Sequence, residues 1–175
     1  DIRSPFAVLG SSDVDVTELR VDGRNQGTGG EELYGVYVEN SSASIATISV
    51  INVTQGPDSA PSGNQGIEGI SVTNSDSVNR HVVIDNVTVE NFDKNGIRAQ
   101  SPGSGNLSVE ITDSTVIGTP TSNTAQNGIS LTRVSATVVN NTVVNTSYIS
   151  SSATTSGLIS TISISDSRIE GNTLR

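Results

Sequence analysis

Apolar and polar residues alternate along most of this chain, in runs too short for a helix. Residues 82–97 read Val-Val-Ile-Asp-Asn-Val-Thr-Val-Glu-Asn-Phe-Asp-Lys-Asn-Gly-Ile. A period of two turns one face of a strand toward a core and the other toward solvent. Asn and Asp interrupt the alternation at Asp85-Asn86 and Asn91. Both residue types tolerate left-handed backbone, so these steps predict corners between strands. No stretch sustains an apolar period of 3.6 residues, and almost no helix is expected.

The same grammar recurs from end to end. With residues 84–91 as template, copies lie at 16–23, 111–118, 138–145 and 164–171, and a looser one at 50–54. The third position collects Glu18, Asn52, Asn86, Asp113, Asn140 and Asp166 as a corner column. The eighth collects Gly23, Asn91, Gly118, Asn145 and Gly171 as a second corner, again residues that accept positive φ. The sixth collects Val21, Val89, Val116, Val143 and Ile169 as a buried β-branched row. The pairs Gly35-Val36, Gly69-Ile70, Gly96-Ile97, Gly128-Ile129 and Gly157-Leu158 each open a further strand, at spacings of 34, 27, 32 and 29 residues. Two regular edges and one variable loop per turn describe a solenoid. Residues 1–175 form one domain on this reading. Both terminal turns look cut, which predicts either missing flanking turns or end-to-end self-association, because an open solenoid end exposes a core layer and unpaired backbone.

Composition sharpens the picture. Val (21) and Ile (16) far outnumber Leu (7), which favours strands. Aromatic residues make up 3% of the chain, so the core is built of aliphatic rows. The formal charge is −9, with Lys94 as the single lysine beside eight arginines. No basic stripe exists for a nucleic-acid partner. Cysteine is absent, which excludes disulfides and thiolate metal sites. No apolar run is long enough for a membrane span. Richness in Ser, Thr and Asn without Cys, Trp or Met resembles surface proteins, so a secreted or cell-surface location is expected.

The pattern Val-x-Ile-x-Asn/Asp-x-x-Val-x-x-Asn/Gly followed by Gly-Ile resembles the right-handed parallel β-helix repeat of the pectate-lyase-like superfamily, over residues 6–173. The resemblance implies an all-β fold: a right-handed, single-stranded parallel β-helix of about six turns. It implies three parallel sheets, with rungs about 4.8 Å apart. Members of that superfamily include polysaccharide lyases, polygalacturonases, epimerases, phage tailspikes and non-catalytic surface proteins. No subfamily's motif is matched. Paired aspartates of the polygalacturonase type and a His-containing epimerase motif are both absent. The expectation is an extracellular structural or binding module without evident catalytic machinery, with polysaccharide as its partner. The alternative is a fragment of a carbohydrate-active enzyme, a lyase or hydrolase, acting on acidic polysaccharide.

In the strands opened by Gly-Ile, the residue after Ile points outward. That row is Tyr37, Ser71, Arg98 and Ser130, followed by Glu39, Thr73, Gln100 and Thr132. If the chain is an enzyme, its machinery is Arg98, with Lys94 and Asp93 in the preceding loop. Arginine stabilises a substrate carboxylate, and a desolvated lysine serves as a base. Tyr37 and Arg133 are the candidates for substrate contact. The plainer alternative is an ordinary exposed ion pair in a short loop. One acidic residue in this cluster is too few for a calcium site, and no cofactor is expected. His81, beside Arg80, reads as a surface residue without a second histidine for zinc. Thr54, Thr88, Thr115 and Thr142 share one outward column, a ladder suited to strand stacking.

Overall fold

The computed structural model describes residues 2–27, 32–55, 66–119, 125–146 and 159–175. Among them are strands and no helix. A short β1 (Ile2–Arg3) precedes the first rung of β2 (Phe6–Leu9), β3 (Val14–Thr17) and β4 (Arg20–Asp22). The second rung is β5 (Glu32–Glu39), β6 (Ala43–Ala46) and β7 (Ser49–Val53); the third is β8 (Ile67–Thr73), β9 (Arg80–Asp85) and β10 (Thr88–Phe92). The fourth is β11 (Asn95–Gln100), β12 (Leu107–Thr112) and β13 (Thr115–Ile117); the fifth is β14 (Asn127–Thr132), β15 (Ser135–Val139) and β16 (Thr142–Val144). The sixth is β17 (Ile159–Ile162), β18 (Ser165–Glu170) and β19 (Thr173–Leu174).

Each strand pairs in parallel with the strand one rung before and after it, which yields three sheets. The chain is therefore an all-β parallel solenoid. Its six rungs span about five turns from first to last.

The core is a stack of aliphatic rows. One row runs Val21, Val50, Val89, Val116, Val143, Leu174. A second runs Val16, Ile45, Ile84, Ile111, Val138, Ile169. A third runs Phe6, Val36, Ile70, Ile97, Ile129, Ile159. In the middle rungs these side chains are completely buried. Each contributes about 1.5–3 kcal/mol relative to exposure.

Four members of the expected valine row stack as the sequence implies, but Ile169 does not join them. It belongs to the second row, beside Val138, and Leu174 takes its expected place. The cause is a register shift in β18 between the partners of Ser135 and Thr137. Asp166 lies there with φ 45°, and the true corner is Gly171 at φ 67°. The last copy thus mimics the repeat one sheet too early.

Asn52 is displaced similarly. It has positive φ but lies within β7, one residue before its end, at the corner shared with Asn91 and Asn145, while Thr47 at φ 55° turns the corner where Asn86, Asp113 and Asn140 turn theirs. A β-branched residue in that region is an outlier that no sequence pattern flags. Thr54 falls off the ladder for the same reason: Thr88 stacks on Ser49, and the row continues through Thr115 and Thr142 to Thr173. The last Gly-aliphatic marker also slips by one residue. Ile159 pairs with Ile129, and Gly157-Leu158 lies outside the described residues.

Candidate functional site

The sheet of β5, β8, β11 and β14 carries the candidate chemistry. At the Gly-Ile step the strand does not alternate simply. A Cβ on Gly96 would lie 2.3 Å from Val116 Cγ1, so Gly96 faces the core, and Ile97 is buried in that core too. Two consecutive residues face inward. The residue before Gly and the residue after Ile therefore share the outer side. This adds a row to the expected ones: Tyr34, Glu68, Asn95 and Asn127 stack in register beside Tyr37, Ser71, Arg98 and Ser130.

Glu68 is the centre of that surface. It is wholly buried, and its Oε1 accepts from Asn95 Nδ2 at 2.6 Å and from Arg98 Nη1 at 3.0 Å. Glu68 Oε2 and the Ser71 hydroxyl are buried without a well-formed hydrogen bond. Burial pushes the Glu68 pKa up. The Arg98 charge pulls it back in part, helped by Ser71 and Asn95 beside it. Arg98 is fixed on its other flank as well, where Nη2 donates to Gln100 Oε1. Gln100 Nε2 in turn donates to Thr73 Oγ1 at 3.2 Å. Asn127 Nδ2 donates to Asn95 Oδ1 at 2.9 Å, which carries the network one rung further.

Tyr34 and Tyr37 close one side of the cluster. Their rings stack with centroids 4.8 Å apart and planes 13° apart, an arrangement worth about 0.5–1.5 kcal/mol beyond area burial. Both are nearly shielded from solvent. Burial, then the charge of Glu39, pushes the Tyr37 phenol up to about 12. Burial, then the charge of Glu68, raises the Tyr34 phenol further.

The loop residues behave differently from the expected trio. Asp93 points away from Arg98: its Oδ2 accepts from the Gln55 backbone N–H at 2.7 Å, and burial raises its pKa. Lys94 stays near the cluster, feeling the charges of Glu68 and Arg98, and its Nζ donates to the Ala125 carbonyl at 2.9 Å. Burial lowers its pKa. Asp93 and Lys94 therefore tie neighbouring loops together and do not pair with each other. Arg133 sits one rung on, at the exposed corner after β14 with φ 53°. Glu68, Asn95 and Asn127 escaped the sequence reading, although each directly precedes a Gly-Ile pair.

Elsewhere, His81 is exposed on β9, with Nε2 3.6 Å from Glu110 Oε1. It lines an open groove of about 470 Å³ together with Asp13, Asp15, Ser42 and Ser44. Among the described residues no three His, Asp or Glu side chains gather closely enough to hold a metal ion. Among them, too, no helix is long and apolar enough to cross a membrane.

Fold and site together define a parallel β-solenoid with a hydrogen-bonded polar face on one sheet. Comparison with known proteins returns no match: no family model fits the sequence, and no curated protein or solved structure is significantly similar to it.

Proposed function

We propose that this chain is a secreted or cell-surface binding module of the pectate-lyase-like type that contacts polysaccharide through the sheet face around Arg98. The observation that carries this reading is the clamping of Arg98 between Glu68 and Gln100. A guanidinium held on two sides is a preorganised donor, and its remaining exposed edge suits sugar hydroxyls and carboxylates. Ser130 and Thr132 continue the two outward rows on the next rung and extend the hydroxyl-bearing surface. The ionisable groups around it are engaged in the fold: Glu68 by Asn95 and Arg98, Asp93 by Gln55, Lys94 by Ala125.

A second reading, a carbohydrate-active enzyme on acidic polysaccharide, draws on one observation. Glu68 is pushed up and Lys94 is pushed down, and the two lie within electrostatic reach of each other and of Arg98. Groups displaced toward neutrality are those that exchange protons in catalysis.

Affinity electrophoresis on a panel of neutral and uronate-bearing polymers, read alongside unsaturated-product and reducing-end assays, separates the two. The expected result is retardation by at least one polymer, weakened about tenfold in Arg98→Ala, with no product. Product formation abolished by Lys94→Ala or Glu68→Gln would favour the enzyme. Retardation unchanged in Arg98→Ala would remove this face from the reading.

A further inference from the structure

The ion pair between Arg98 and Glu68 is lopsided. Glu68 is wholly buried, whereas 28% of the Arg98 side chain remains exposed. The other ion pairs among the described residues leave both partners in contact with solvent. Here the anion is hidden beneath the face and the cation is presented on it. A hidden carboxylate that loses its charge changes what the surface guanidinium offers, without either side chain leaving its place.

The hydrogen bonds allow that change. Both donors to the carboxyl, Asn95 Nδ2 and Arg98 Nη1, reach Oε1, and a neutral carboxyl still accepts them there. Glu68 Oε2 is buried without a partner, and so is the hydroxyl of Ser71 beside the carboxyl. A proton on Oε2 turns that oxygen into a donor and leaves the Oε1 contacts intact. Gln100 holds Nη2 of Arg98 in either state. The surrounding titratable groups are Tyr34 and Tyr37 of β5, with Glu32 and Glu39 next to those phenols, and Lys94 before β11. Burial holds both phenols neutral, and Lys94 Nζ is bonded to the Ala125 carbonyl. Arg98 is the charged group that bonds the carboxyl. Burial of Glu68 favours its neutral form and brings protonation into milder acid than an exposed glutamate needs.

We infer that Glu68 sets the charge preference of this face: ionised, it compensates Arg98 and the face takes neutral sugars; protonated, it leaves the same guanidinium uncompensated and the face takes anionic ones. The inference rests on the reading of the Arg98 face as the polysaccharide contact. Glu68 touches no sugar itself and acts through Arg98. Linkage makes the effect reciprocal: an anionic sugar at Arg98 favours the proton on Glu68, so its binding takes up protons.

Affinity electrophoresis between about pH 5 and about pH 8 tests this, on polygalacturonate, alginate and hyaluronate, which stay ionised throughout, and on neutral galactan and dextran. The parent should bind at least one uronate polymer about tenfold more tightly at the acid end than at the alkaline end. Glu68→Gln, with circular dichroism matching the parent, should bind that polymer at the alkaline end as tightly as the parent does in acid. Binding of the neutral polymers should not follow pH in either protein. Titration calorimetry of the parent, in two buffers of different ionisation enthalpy, should show proton uptake on binding the uronate polymer, a readout that needs no variant. No retardation by any polymer, or retardation unchanged in Arg98→Ala, removes the contact reading and this inference with it. Retardation weakened in Arg98→Ala, with parent and Glu68→Gln sharing one pH profile, overturns the inference alone. So do uronate polymers refused by Glu68→Gln at every pH, and uronate binding without proton uptake.

Discussion

Among the described residues Glu68 is a fully buried ionisable side chain. Removing a carboxylate from solvent costs several kcal/mol, and Arg98 and Asn95 return part of it. Its pKa is raised above the ordinary 4.5, so folding favours the protonated form. The stability from this group is complete below about 4.5 and is lost as pH rises through the higher folded value. Glu68→Gln keeps the shape and removes the titration. In urea denaturation at a series of pH values, the variant's stability relative to the parent should rise with pH through that window and then level off. A flat difference would mean the carboxylate titrates as it does in the unfolded chain. Arg98→Ala should cost roughly 3 kcal/mol above the pH window in which Glu68 titrates, where it strands a buried anion, and less below that window, where Glu68 is neutral. The outer position of Arg98 was readable because it follows Gly-Ile on an alternating strand. Glu68 was not, because simple alternation turns the residue before Gly to the wrong side.

At the level of the strand, the Gly-Ile step sets the face. Gly35, Gly69 and Gly96 each leave room for a valine of a neighbouring sheet: Val50, Val89 and Val116 Cγ1 would lie 2.3 Å from an added Cβ. At Gly96 the added atom would also sit 2.7 Å from the Gly128 carbonyl, a backbone atom that cannot rotate away. Gly96→Ala should therefore destabilise by about 2–3 kcal/mol. The denaturation midpoint measures it, and a loss under about 0.5 kcal/mol would show that the step carries no packing constraint. Corners follow a looser rule than strands. Asn86, Asp113 and Asn140 fill one corner column as the sequence implies, yet Thr47 and Gly171 turn the same corner in other rungs. Side chains also stabilise these corners from within. Asn141 Nδ2 donates to the carbonyls of Ile111 and Val139, and its Oδ1 accepts from the Ser114 N–H. Nothing in the spacing marks Asn141 apart from its neighbour Asn140, because which of two adjacent polar residues turns inward depends on the fold of the corner.

Over the whole molecule, stability is a sum of rungs and of the interfaces between them. Interior rungs bury their aliphatic rows completely, while β18 and β19 are exposed along their length. Amides of β9 to β13 should exchange slowest and those of β17 to β19 fastest, as read by hydrogen exchange and mass spectrometry at low concentration. Uniform protection across all rungs would contradict this gradient. The sequence by itself determined the class of fold, since alternation, aliphatic bias and recurring corner residues are local properties that every rung repeats. It also placed Arg98 and its outward row correctly. Tertiary structure alone decided the register of the last rung, where the irregularity at Asp166 moves Ile169 into another sheet. It alone paired Arg98 with Glu68, 30 residues away in sequence. The reason is physical: a period of two fixes which way a side chain points, but the neighbour above it depends on loop lengths and single-residue shifts that only the stacked coil resolves.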